Sequence, residues 1–326
     1  MTTVALPQST TGEAAAGMVV LSPGQLAWRR FRKHRMAMAA SGGLILLLLY
    51  LMLGGLVLSR GLCAPTGQYL TGEAYANCND TSLKFQAPSG AHPFGTDKIG
   101  RDILARTIYG GQISIIIGIF AAVVEVVVGV LVGAIAGYFG GWLDDLLMRL
   151  TEAMLIIPPL FLLIVLAKSL GGKLPEIHLL GRDFSGSVIV IILVIGLTSW
   201  MYLARIVRAN ILSLKEMDFI SAARAIGVSH ARIIFVHLLP NTIAPIIVSA
   251  TLGVANAILS EAYVSFLGLG VQGATATWGN MLDGAYQYLE TAPWLWFFPG
   301  LLILITVLGV NFVGDGLRDA FDPRSR

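Results

Sequence analysis

Six times along this chain an apolar run long enough to cross a bilayer is followed by a polar stretch punctuated by glycine and proline. The runs lie at about 38–58, 113–138, 146–166, 187–203, 242–267 and 294–313, each close to the ~20 residues that a spanning helix needs. The pattern predicts an all-α membrane protein of six transmembrane helices. Ahead of the first run, Ser22-Pro23 supplies an N-cap and a first-turn proline, and Leu26, Trp28 and Phe31 recur among Arg29, Arg30, Arg32, Lys33 and Arg35. Residues 22–37 therefore read as an amphipathic interfacial helix, preceded by a polar tail over 1–21 with no apolar core, expected to be disordered and not a cleavable leader. Residues 59–112 read as a loop region outside the spans, ending in an amphipathic lead at 103–109, and 113–326 as the core domain with the other five spans.

Within the runs a few residues stand out. Gly129, Gly133 and Gly137 repeat every four residues, so a neighbouring helix can approach closely, and Glu125 continues that stripe. Pro158-Pro159 predicts a break in the third span. Trp200, Tyr202 and Arg205 read as interfacial markers at the end of the fourth, and Asn256 and Glu261 place polar groups in the fifth. The most informative insert is 218–241, between spans four and five. Phe219, Ala222, Ala223 and Ile226 fall at i, i+3, i+4 and i+7 and make one apolar, partly small helix face. Gly227 then suits a left-handed helix stop, and Ser229 an N-cap for a second short helix running to Pro240.

Composition agrees with a multispan protein: 56% hydrophobic residues, 13% charged, mean hydropathy +0.76. A net charge of +3 is too small to suggest a nucleic-acid partner, and the distribution of basic residues is more useful than their sum. With the N-terminus placed inside, 14 of the 22 Lys and Arg fall on inner segments and 8 elsewhere, which predicts cytoplasmic termini and a cytoplasmic 218–241 insert. Cys63 and Cys78 then share one outer loop, where a disulfide is permitted and expected. No phosphate-cradling Gly-x-x-x-x-Gly-Lys-Ser/Thr, His-Glu-x-x-His or Cys-x-x-Cys occurs. No metal and no directly bound cofactor is expected.

The insert resembles the cytoplasmic signature of permease subunits of bacterial ABC importers, and specifically of the second membrane subunit of dipeptide and oligopeptide systems. Ala222, Ala223, Gly227, Leu239 and Pro240 match that signature, whereas Ser221 replaces its Glu and His237 its Ile. The resemblance continues in His92-Pro93-Phe94-Gly95-Thr96-Asp97 with Gly100-Arg101-Asp102, in Glu261 to Gly270 with Trp278-Gly279, and in Gly314 to Asp319 with Asp322-Pro323-Arg324. Gly273-Ala274 departs from it, where relatives often carry prolines. The resemblance implies a non-catalytic half of a pore in the bacterial cytoplasmic membrane. It implies a homologous second permease, two cytoplasmic ATPases that carry ATP and Mg, an external substrate-binding protein and a peptide substrate. The short helix from Phe219 to Ile226, with Gly227 at its end, is then the element that couples to an ATPase. The path is expected between the two permeases, near Gly133 and Pro158. Importers of nickel and other small solutes use similar permeases. From a different class, an ion-coupled secondary transporter would use Glu125, Glu152 or Glu261.

Overall fold

The computed structural model describes residues 22–170, 175, 177–179, 182–272 and 275–322. The tail expected over 1–21 and the Gly273-Ala274 departure lie outside the described residues. Helix α1 (Pro23–Lys33) starts on a capping box: Ser22 Oγ accepts the Gln25 N–H, and Gln25 Oε1 accepts the Ser22 N–H. His34 ends α1 and caps α2 (Arg35–Val57), its Nδ1 accepting the Ala37 N–H at 3.1 Å. The apolar face of α1 is narrower than the sequence pattern suggests. Phe31 and Ala27 are buried against the end of the last helix, while Leu26 and Trp28 remain exposed.

Beyond α2 come a small hairpin of β1 (Arg60–Cys63) and β2 (Gln68–Thr71) and the one-turn α3 (Gly72–Ala76). Helix α4 (Ile103–Phe139) follows. The helix begins ahead of the apolar run expected to cross from 113. Asp102 caps the helix, its Oδ1 accepting the Ala105 N–H at 2.8 Å, so the lead at 103–112 is its first three turns. At 37 residues α4 is about 55 Å long, well beyond a ~30 Å hydrocarbon core, and every other long helix packs on it.

Helices α5 (Gly141–Ile156) and α6 (Pro159–Leu170) meet at 89°, at the break that Pro158-Pro159 announces. A short hairpin of β3 (Ile177–Leu179) and β4 (Arg182–Phe184) leads to α7 (Gly186–Ser199). Helix α8 (Met201–Leu214) continues after a 43° bend. Trp200 stands at that bend. It is buried with Met201 and Ala204 against Met154 and Leu155, so it is a packing residue and not the interfacial marker expected.

Helix α9 (Asp218–Ala225) and the single turn α10 (His230–Arg232) make up the insert. The expected stop at Pro240 also fails. From His230 the chain stays helical to Phe266, through a π turn at Ile233–Leu238 and a 3-10 turn at Leu239–Thr242 into α11 (Ile243–Phe266). The proline lacks an N–H and its ring crowds the carbonyl four residues back. The widened and tightened turns absorb both defects without a break. After α12 (Trp278–Met281), helix α13 (Trp294–Phe321) runs past the expected end at 313, with Gly316 pressed on Ala37 and Phe31.

Among the described residues four helical stretches are long and apolar enough to cross a bilayer, or up to six if each bent pair counts as one. The glycine stripe of α4 carries the closest packing. A Cβ on Gly129 or Gly137 would fall 3.0 Å from the Trp200 carbonyl or 2.9 Å from the Arg208 carbonyl, and Gly133 lies against the Ala204 carbonyl. Gly133 is thus sealed against α8 and cannot line a path.

Candidate functional site

The 218–238 segment forms a corner closed by its own backbone. The Val228 N–H reaches the Ala223 carbonyl at 3.1 Å and the Gly227 N–H the Arg224 carbonyl at 3.0 Å, the paired bonds of a Schellman stop. Gly227 sits at φ +78° as that stop requires. Ser229 holds the N-cap position of α10, although its side chain makes no capping bond.

Helix α9 divides its apolar residues between two faces. Ile220 and Ala223 turn inward and pack with Ile233, Ile234 and Leu238, while Phe219, Ala222 and Ile226 are exposed. Ala223 therefore does not belong to an outward docking face, which corrects the four-residue face read from spacing. The outward residues are Phe219, Ala222 and Ile226, the last 81% exposed.

Residues that the sequence reading passed over tie this corner to α4. Tyr138 Oη lies 2.7 Å from His230 Nδ1, and the Arg224 guanidinium stands 5.4 Å from the centre of the Tyr138 ring. Lys215 Nζ donates to the Gly137 carbonyl at 3.0 Å, near the negative end of α4. Arg208 grips Asp144 through two bonds, Nε to Oδ1 at 2.5 Å and Nη2 to Oδ2 at 2.6 Å, joining α8 to α5. A tyrosine and a lysine at the two ends of apolar runs were the available signals. The corner is thus fastened to the end of the longest helix by polar contacts.

The polar residues expected inside the spans have three different surroundings. Glu261 is buried, its carboxylate accepting from Ser265 Oγ at 2.7 Å and from Ser114 Oγ at 3.3 Å. Ser114 Oγ in turn accepts the Trp278 N–H at 3.1 Å, so the node locks α4, α11 and α12 together. Glu125 is half-buried. It continues the glycine stripe in sequence but meets α11, with Oε2 2.8 Å from where a Cβ on Gly253 would be. Asn256 is exposed on α11, as is Glu152 on α5.

At the other end of the bundle Cys63 and Cys78 are joined as a disulfide, with Cα atoms 5.9 Å apart. The motif from His92 to Asp102 forms a collar on α4. Asp97 holds the Arg101 side chain and the N–H groups of Ile99 and Arg101, and His92 Nδ1 lies 2.7 Å from Asp102 Oδ2. Gly100, at φ +83°, leaves room for the Asp80 carbonyl.

Apolar helices packed on one long central helix, with an amphipathic corner outside the bundle, make a multi-pass membrane protein. Residues 129–326 match the binding-protein-dependent transport system inner membrane component, and residues 22–79 match the N-terminal TM domain of oligopeptide transport permease C. The chain belongs to the family of binding-protein-dependent transport system inner membrane components. A dipeptide transport system permease protein of Alkalihalophilus pseudofirmus is 39% identical over 94% of this chain and 91% of its own length. An oligopeptide transport system permease protein of Escherichia coli is 40% identical over 93% of this chain and 91% of its own. A putative peptide permease protein of Brucella suis is 44% identical over 73% and 75%.

Proposed function

We propose that the protein is the peptide-importing permease subunit of an ATP-driven transporter, one half of a pore and not itself an enzyme. The observation that carries this is identity at the 39–40% level with dipeptide and oligopeptide permeases over more than nine-tenths of the chain. The basic-residue count orients it with six crossings, both termini and the 218–238 corner in the cytoplasm and the disulfide outside. Partners are a homologous permease, two ATPase subunits holding ATP and Mg, and an external binding protein.

Coupling follows from the corner's geometry. Phe219, Ala222 and Ile226 seat in an ATPase groove, and closure of the ATPases moves α9 as one body with the end of α4, through Tyr138, His230 and Arg224. The path runs along α11. Ser249, Asn256, Ser260 and Tyr263 recur on one face at helical spacing, and each is exposed or half-exposed. Polar groups that face away from the chain within the hydrocarbon need water or protein opposite them, and a path between two permeases supplies both.

The test is uptake of labelled di- and tetrapeptides by proteoliposomes holding the chain with the subunits encoded beside it. ATP-dependent uptake that requires the binding protein is expected. Uptake that follows the membrane potential without ATP would transfer the chain to the ion-coupled class.

A further inference from the structure

At the disulfide end of the bundle a cavity of about 290 Å³ opens between the start of α4, the end of α11 and the segment before α13. Its size is at the small end of the ~300–1,000 Å³ range of ligand pockets. Arg106, in the first turn of α4, lines it and is only 5% exposed. Among the described residues the Arg106 guanidinium has one hydrogen bond, Nη1 to Asn77 Oδ1 at 3.1 Å, and no carboxylate within ion-pair distance. Five N–H donors and a permanent charge are far more than one amide oxygen satisfies. The only buried side-chain polar atom sealed without a partner among the described residues is Gln112 Oε1, so the spare N–H groups of Arg106 open onto the cavity.

Neighbouring charges sharpen the chemistry. Arg101 also lines the cavity but is committed to Asp97, Nε to Oδ2 at 2.7 Å. Lys98 stands exposed at the rim, and Asp283 faces the same space, neither of them in an ion pair among the described residues. A buried cation left unpaired is costly, and a planar guanidinium favours a two-oxygen anion. A free anion would be opposed by Asp283. A zwitterion, with its carboxylate on Arg106 and an ammonium towards Asp283, meets groups of the right sign at both ends.

We infer that this cavity is a site for the carboxylate terminus of a short peptide, with Arg106 as its anchor and Lys98 as its rim. The carboxylate preference rests on the geometry alone, and the peptide as its bearer rests on the proposed function.

The test is calorimetric titration of the full chain, in nanodiscs with its co-purifying subunits, using dialanine and dialanine amide. ATP and binding protein are left out, so failure here leaves the uptake experiment untouched. Dialanine is expected to bind and its amide to bind more than roughly tenfold more weakly, since a charge-assisted pair is lost. Arg106→Gln should abolish the difference between the two. Because that change touches a buried residue, Lys98→Glu serves as a second variant on the exposed rim, expected to weaken dialanine several-fold at unchanged thermal stability. Equal affinity for dialanine and its amide would overturn the inference. So would an unaltered Lys98→Glu variant, or no heat from dialanine at roughly 10 mM. Silence towards dialanine with docking of the binding protein dependent on Arg106 would also overturn it, assigning the cation to a protein carboxylate instead.

Discussion

Replacing Gly227 separates the conformational role of the corner from everything else it does. Apart from the adjoining residues of the chain, no atom lies within 4 Å of where a Cβ at this position would be, so a side chain there meets open space. The whole cost is the backbone at φ +78°. An L-residue in that region costs about 1–2 kcal/mol, and a β-branched one reaches about 3 kcal/mol. Asn tolerates the left-handed region best, so the expected order of damage is Gly227→Asn, then Gly227→Ala, then Gly227→Val. At ~1.4 kcal/mol per factor of ten, Val shifts the ratio of intact to disrupted corner by roughly a hundredfold relative to Gly. The chain has two ways to relieve this strain: to break the bond from Val228 N–H to the Ala223 carbonyl, or to swing α9 off Ile233 and Ile234. Both misdirect Phe219 and Ile226. The assay pairs the amount of chain in the membrane with substrate-stimulated ATP hydrolysis by the assembled transporter. Amounts should be equal across the series while hydrolysis falls in the stated order. Equal hydrolysis from Gly227→Asn and Gly227→Val would refute the reasoning, since it would mean the angle of the corner does not matter.

Four further outcomes are expected. Ile226→Asp, at an exposed position, should change thermal stability by less than ~0.5 kcal/mol yet weaken co-purification of the ATPases, whereas Ala223→Trp should destabilise the chain itself by overfilling the Ile220 cluster; a stable Ala223→Trp chain would contradict that packing. Asp144→Ala leaves the Arg208 charge without its partner and should cost about 1–3 kcal/mol, discounted because Arg208 is a third exposed; thermal unfolding checks it, and joint replacement of both residues by leucine should recover much of the loss. The Cys63–Cys78 link closes a 15-residue separation worth ~3 kcal/mol in the chain-entropy model, and mass spectrometry of non-reduced protein should find the joined peptides, with free alkylatable thiols at both positions as the contrary result. Glu125→Gln should lower stability without altering peptide affinity, because its carboxylate lies against Gly253 and not on the exposed face of α11; altered affinity at full stability would place Glu125 on the path.

Much of this architecture is local chemistry and so was legible in residues. Runs of apolar side chains set the spans. Ser22-Pro23 started α1, the two adjacent prolines broke the third span, and Gly227 stopped α9, each through its own backbone or cap. Where the sequence misled, the deciding partner was distant in the chain. Pro240 did not end its helix, because the surrounding turns widened and tightened around it while Leu238 stayed buried in the cluster with Ile220. Trp200 looked interfacial until α5 covered it. The 103–112 lead looked like loop until α3, α12 and the collar closed on it.

The division of α9 into an inward pair and an outward trio shows the general limit. Periodicity reveals which residues share a helix face, but a spanning protein offers apolar surroundings on both sides, lipid or protein, so hydropathy does not say which side is the core. Glu125, Asn256 and Glu261 were equally conspicuous in the sequence, three polar residues in apolar runs. Packing alone made one a sealed node, one a carboxylate pressed on a glycine and one an exposed amide, because burial is a property of the helix that arrives opposite and not of the residue itself.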